Sequence, residues 1–444
     1  MKNIRIAIFL SIMAIPAHAE FKQNTKFGVE SRSTSSSTTQ SDLDVYKAEY
    51  TASYLTAVNS LNSVFVKASA ILTDSSEALN ALDNDLINQS TDDEDNAIFR
   101  LREAWWEKDR HTGYKKDAIT FGLKRIKMSP YWIDDEIESL SWHVETTTTS
   151  WQLGLGQQLT SYNTSTTLNI EDKGKFAAWG RLQHDWMPYH SLHLNTLFVN
   201  QHRDIATDEM SDSFIGPLNG NYVWLGLGGS HNWLSIDDVT SNLGYLIEAT
   251  ALTGTGDTFN NRDDSWQRSK NNAFSVLGGI RIQPLDVPFF IGSTVAYASG
   301  SNDGKSTYFQ SGYQSNKSKY LGTRDQAYQF NYALDASLSN LATVSLFSSY
   351  QVSNEWSING AISSYLRADS DTPAYRRNRA LETTGTQKDI GTGLDFQAIY
   401  RSKQFLGSGN KGRVKLSTSQ FITGDALESY DDETRISLEI TVEL

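Results

Sequence analysis

The sequence predicts an all-β fold: a single-chain transmembrane antiparallel β-barrel of about 18 strands, with both termini on the periplasmic side. Three observations predict it. Apolar and polar residues alternate with period two, in stretches bounded by turn residues, from position 46 to the last residue. The connections between those stretches are short and long by turns. The 444 residues hold 11 Trp, 20 Tyr and 19 Phe but only 7 Pro, and no apolar run after Ala19 is long enough for a membrane helix. A membrane barrel needs that composition, because its outer face meets lipid, its inner face meets water, and Trp and Tyr settle at the two interfaces.

The first element is a leader. Lys2 and Arg5 precede an apolar stretch, 6–15, and Ala17-His18-Ala19 is an A-x-A cleavage signal. Residues 1–19 are therefore expected to be a signal peptide, and 20–444 a single barrel domain in an exported chain. Cys is 0, which excludes a lipid anchor and disulfides. The formal charge of −13 becomes −15 when Lys2 and Arg5 leave with the leader, which disfavours nucleic acid as a partner. Segment 74–95 carries eight acids and no Lys or Arg, so a negative total is compatible with a basic interior.

The strands follow in order. Tyr46, Ala48, Tyr50, Ala52 and Tyr54 alternate with Lys47, Glu49, Thr51 and Ser53. Val64 to Leu72, Trp151 to Leu155, Leu243 to Ala251 and Trp356 to Ile362 repeat the pattern. The chain closes on RISLEITVEL, an amphipathic last strand of the kind that signals outer-membrane insertion. Short turns are expected near 57–61, 109–116, 147–148, 188–190, 235–241, 284–287, 353–354 and 402–412. Long loops are expected near 31–43, 74–95, 129–135, 162–174, 203–221, 253–271, 299–340, 368–388 and 423–433. Eight turns and nine loops make 18 strands. Strands with polar residues opposite the aromatics enclose a conduit or binding site rather than a packed core.

The stretch YWIDDEIESLSW places Asp134, Asp135, Glu136 and Glu138 directly before an alternating tail. It reads as an extracellular loop, 129–135, entering a strand over 137–146. Leu140, Trp142 and Val144 are expected to face lipid, and Ser141, His143 and Glu145 the lumen. The four acids are then either a pore-mouth cluster, pairing with lumen arginines or repelling a polyanion, or solvated loop charges.

FGLKRIKM, WIDDEIESLSWHVETT and EDKGKFAAWGRLQHDWMPYH, in that order, resemble the alginate export family of outer-membrane porins, as do 300–324, 338–351, 363–371 and 387–396. The resemblance runs from about 97 to 430. It implies an arginine-lined lumen, with Arg102, Arg125, Arg324 and Arg367 at the family's arginines and Lys415 where the family tends to have Arg. Parity adds Lys47, Arg100, Arg181 and Arg281, since a charge facing lipid is costly. A uronate polymer carries about one carboxylate per sugar, and fixed guanidinium groups along its path replace the hydration it loses. Each cation is alternatively part of a structural pair with Glu49, Asp185, Glu248 or Asp395. The chain departs from the family at Ser299, Gln326, Gln329 and Asp335, and its 402–412 segment is shorter than the family's periplasmic loop. The first departure implies a less basic lumen and the second a reduced periplasmic gate, so a less charged acidic exopolysaccharide fits as well as alginate.

Segment 74–95 reads either as a lid over the outer mouth or as a surface loop bridged by divalent cations beside lipopolysaccharide. No motif names metal ligands, and no cofactor is implied. The eight His, among them His111, His143, His184 and His231, form no Ser-His-acid arrangement with a nucleophile elbow, so an enzyme is not expected. The expectation is a monomeric porin in the outer membrane of a Gram-negative bacterium, conducting an acidic exopolysaccharide outward. Its partners would be that polymer, outer-membrane lipid and lipopolysaccharide, and periplasmic secretion-scaffold proteins. An uptake porin for anionic oligosaccharides and a non-conducting adhesin or structural barrel remain as alternatives.

Overall fold

The computed structural model describes residues 19–444 apart from 35–42, 74–88, 92–96, 111, 130, 165, 169, 203, 207–213, 234–241, 261–262, 285–286, 304, 378, 408 and 428–429. The leader to residue 18, His111 and almost all of the acidic segment 74–95 fall outside these residues. Eighteen strands form one sheet. The first nine are β1 (Ala19–Thr34), β2 (Leu43–Asn59), β3 (Asn62–Thr73), β4 (Ala97–Asp109), β5 (Lys116–Ser129), β6 (Ile133–Glu145), β7 (Thr149–Gln157), β8 (Lys175–Met187) and β9 (His190–Gln201). The rest are β10 (Asn221–His231), β11 (Leu243–Asn260), β12 (Ser265–Ile282), β13 (Phe289–Ala298), β14 (Leu341–Gln351), β15 (Trp356–Arg367), β16 (Asp389–Ser402), β17 (Gly412–Thr423) and β18 (Glu433–Glu443). Each pairs antiparallel with the next, and β1 pairs with β18 from Asn24↔Glu443 to Thr34↔Glu433. The sheet therefore closes and leaves no edge to be covered.

The alternation explains the wall. Phe27, Val29, Leu225, Leu227, Ile436 and Leu438 are exposed on the outside, while Glu30, Arg435 and Glu433 on the other parity are buried inside. Trp356 and Tyr400 pair at 5.0 Å near the short-turn end, and Phe274 and Tyr297 at 5.7 Å toward the long-loop end, as interfacial rings do. Among the described residues no helix is long and apolar enough to cross a membrane.

The strand count agrees with the expectation, as do the short turns among the described residues; the one expected near 235–241 lies outside them. Two expected loops do not exist as such. Residues 253–271 are mostly strand, because β11 runs to Asn260, β12 starts at Ser265, and Phe259 and Trp266 are cross-strand partners. Residues 129–135 are likewise strand on both sides of a tight turn, since β5 ends at Ser129 and β6 begins at Ile133. Leu140 is exposed on the outer face as expected, but Val144 is fully buried beside its cross-strand partner Trp151.

Candidate functional site: a divided lumen

The hairpin of β5 and β6 does not stay in the wall. β4 and β5 pair only from Ala104↔Leu123 to Asp109↔Ala118. Above that, β4 bonds to the chain that precedes β8: Leu101 N–H donates to Tyr162 O (2.8 Å) and Thr164 N–H to Phe99 O (3.1 Å). β6 likewise parts from β7 above Glu138↔Gln157. Gly122 marks the departure, with φ +125° and no room for a Cβ, which would lie 2.3 Å from Ala104 O. The freed end crosses the lumen, where Trp132 Nε1–H donates to Glu248 Oε1 of β11 (2.8 Å) and the indole fills the space over Gly226 of β10. The sequence makes this hairpin amphipathic in its own right. Ile126, Met128, Ile133 and Ile137 are at most 3% exposed on one face, with Tyr131 and Trp132 buried at the tip. Arg125, Asp134 and Glu136 take the opposite face.

The apolar face packs against residues 299–340, the connection from β13 to β14, which also lies inside the barrel. Tyr131 meets Tyr320 edge-on at 5.3 Å, and Asp134 N–H donates to Tyr313 O (2.8 Å). The wall supplies donors to this inner chain: Trp224 Nε1–H to Phe309 O (3.0 Å) and Trp233 Nε1–H to Tyr320 O (3.1 Å). Its far side is tied by Tyr332 N–H to Asp395 Oδ1 (3.0 Å) and Asn331 Nδ2 to Ser419 Oγ (2.9 Å). Backbone inside a barrel must find such partners. A packed body thus fills the lumen beside β8 to β15.

Charge lines the remainder, along β1 to β5, β17 and β18. Glu49 accepts from Arg102 (2.7 Å) with Lys47 at 3.4 Å, and Glu136 accepts from Arg100 (2.8 Å). Lower down, Lys67 faces Glu103 at 3.7 Å, and Lys124 and Lys116 face Glu107 at 3.2 and 3.4 Å. Beside the stacked rings of Tyr328 and Tyr332, whose centroids are 4.1 Å apart, lies a narrow pocket. Lys26, Lys47, Lys317 and Lys415 line it against one carboxylate, Glu439, which Lys26 approaches at 3.1 Å. Glu49 also stands 3.4 Å from Lys47, so four lysines face two carboxylates and the pocket favours an anionic group.

Of the expected conduit residues, Lys47, Arg100, Arg102 and Lys415 come together on this charged side. Arg324 is half-buried with its guanidinium 5.6 Å over Phe290. Arg125 turns to the hairpin's outer face and bonds Asp134 (2.8 Å). Arg281 and Arg367 line no path. Arg281, 1% exposed, donates to the carbonyls of Gly322 (2.8 Å), Trp233 (3.3 Å) and Asn232. Arg367, 2% exposed, is spent on loop 368–388, donating to Gln387 O (2.9 Å), Gly385 O and Thr372 O. The acidic cluster is not the expected extracellular loop: Asp134, Asp135, Glu136 and Glu138 are strand residues on the in-folded hairpin, and two of them pair with arginines, Asp134 with Arg125 and Glu136 with Arg100. Asp135 accepts from Gln158 (2.8 Å). Of the carboxylates expected as partners of the arginines, Glu49 is one. Glu248 instead serves Trp132 and His193 (3.1 Å), and Asp185 accepts from Gln183 (3.3 Å).

Lys26, Lys317, Glu439 and His193 were not singled out by sequence. Lys26, Gly28 and Glu30 alternate with Phe27 and Val29, so parity carried to the first strand would have found Lys26. Lys317 sits in an inner chain without alternation, and no period marks it. On the short-turn side of the packed body lies a vestibule lined by Arg181, Gln183, Asp185 and His193 and roofed by Trp233 and Tyr320. Arg181 joins it to the hairpin: one arm of the guanidinium donates to the Met128 carbonyl and the other to Gln183 Oε1 (3.0 Å).

A family model described as "Alginate export" matches residues 17–439. The alginate production protein AlgE of Pseudomonas aeruginosa is 28% identical over 371 residues, covering 78% of this chain and 73% of that protein. AlgE of Pseudomonas syringae pv. tomato is 27% identical, covering 75% and 72%. Among solved structures, Pseudomonas aeruginosa OpdK, crystallised with vanillate, superposes with a TM-score of 0.62 at 8% identity over 96% of this chain and 98% of that one. Acinetobacter baumannii OccAB4 does so at 0.58 and 10% identity, over 96% and 98%. At such identities these structures speak for the barrel fold alone.

Proposed function

The chain belongs to the alginate export family, and from that premise we propose that it is an outer-membrane porin passing an acidic, alginate-like polyuronate out of the cell along the charged side of its lumen. It is a transporter rather than an enzyme. The observation that carries the substrate class is the pocket with four lysines and two carboxylates beside stacked tyrosines. A uronate needs its carboxylate compensated as hydration is stripped, and several lysines in series let the charge move on rather than trap it. Lysine suits passage, being a point charge without the bidentate grip of arginine. In this reading the short turns and both termini face the periplasm. The barrel acts as a monomer and receives polymer from a periplasmic secretion scaffold.

Single-channel recording in planar bilayers tests it. Wild type is expected to prefer anions and to be blocked by oligouronates. Lys47→Glu with Lys415→Glu is expected to reverse the preference and abolish the block. A cation-selective wild-type pore indifferent to oligouronates would refute the reading.

A further inference from the structure

We infer that the short-turn vestibule is a carboxylate-binding site whose occupation releases the in-folded β5–β6 hairpin, so that the polymer unlatches its own path; this rests on the reading of the barrel as a polyuronate conduit. The hairpin is a cantilever. Its backbone pairs with neither β4 nor β7 beyond Leu123 and Glu138, where only side chains such as Arg100 to Glu136 reach it, and it leaves the wall at Gly122, whose φ of +125° is open to glycine and strained for other residues. Besides its bonds to the inner chain at Tyr313 and Ser311, two latches tie its tip to the far wall. Arg181 donates to the Met128 carbonyl, and Trp132 donates to Glu248, which also holds His193 at 3.1 Å. Arg181 and His193 both line the vestibule, which opens to solvent on the short-turn side.

Among the described residues no carboxylate is bonded to Arg181; its partners are neutral, the Met128 carbonyl, the Gln183 amide oxygen and the Tyr320 hydroxyl. A uronate carboxylate entering the vestibule is the stronger partner, because a charge-assisted bidentate bond is roughly twice as strong as a bond to a neutral acceptor. Binding draws the guanidinium from Met128, and the hairpin loses one of its two ties to the far wall. A ligand shifts such an equilibrium only by its differential affinity for the two states. Here that difference is local: Arg181 cannot serve Met128 and a carboxylate fully at once. A neutral oligosaccharide of equal size offers no such exchange.

The chain has Cys 0, so a single cysteine reports on the hairpin without background. Ser129→Cys places one beside the tip, at a position 4% exposed. In the detergent-solubilised full-length barrel, labelling by a hydrophilic maleimide should be slow. Trimeric oligouronate should accelerate it about tenfold, and a neutral trisaccharide should not. Ser129→Cys with Arg181→Gln keeps an N–H for Met128 but loses the charge, and its labelling should no longer respond to oligouronate. Labelling in the first variant that does not respond, or a response that survives Arg181→Gln, would overturn the latch. Wild-type block by the same oligouronate is recorded in parallel. Block without accelerated labelling refutes the latch and leaves the conduit standing, whereas loss of both refutes the two together.

Discussion

Arg281 donates to the carbonyls of Asn232, Trp233 and Gly322 and lies 4.8 Å from the ring of Phe290, whereas Lys415 borders the lysine-lined pocket. Parity reads the two cations identically, since both point inward from strands. Who meets them is decided by residues 299–340, which no period announces. Their substitutions should therefore part ways. Arg281→Leu strips three buried carbonyls of their donor and should cost about 3 kcal/mol of barrel stability, read by urea unfolding in lipid. Ion selectivity should scarcely move. Lys415→Gln should lose less than about 1 kcal/mol, because a buried cation is expensive to keep, while anion preference falls. Equal stability losses would mean that Lys415 is as structural as Arg281. Arg367 belongs with Arg281: the resemblance put it on the conduit, and its four loop acceptors were invisible in the sequence.

At the scale of elements, period two finds strands where one side meets lipid and the other water, and fails where both sides meet the same medium. TGTGDTFNNRDDSWQRSKNN reads as loop because β11 and β12 continue past the outer girdle, where the outward face no longer needs to be apolar. The β5–β6 tip fails for the opposite reason. Its apolar face meets a packed interior and its charged face meets Arg100 and Glu103, so its alternation was legible while its destination was not. Four acids in five residues suggest water, yet a hairpin can bury them when arginines stand opposite. The point that sends it inward is Gly122. Gly122→Ala should destabilise the barrel by about 1–3 kcal/mol through positive φ and the clash with Ala104 O, seen as a lower unfolding midpoint. An unchanged midpoint would show that the strand departs without help from that residue.

Across the whole molecule, wall and filling are separable. The ladder from β1 to β18 closes without residues 299–340, and Ala298 and Leu341, where that segment begins and ends, are cross-strand partners. A short turn can therefore join β13 to β14, as short turns already do at the other end. Replacing 301–338 with a four-residue Gly/Asn linker should leave a folded, heat-modifiable barrel whose conductance rises several-fold, because the packed half of the lumen becomes water. The charged side keeps Lys26, Lys47 and Lys415 but loses Lys317, Tyr328 and Tyr332. Oligouronate block should weaken accordingly, and should fall more steeply with salt, since charges facing a wide aqueous pore are screened over a Debye length of about 10 Å at 0.1 M. Conductance equal to wild type in a folded deletion would mean that ions already bypass the filling and that the packed body sets no limit on flow. A deletion that fails to fold, alongside a Lys47→Glu, Lys415→Glu barrel that folds, would assign the inner chain to holding the wall open rather than to dividing it.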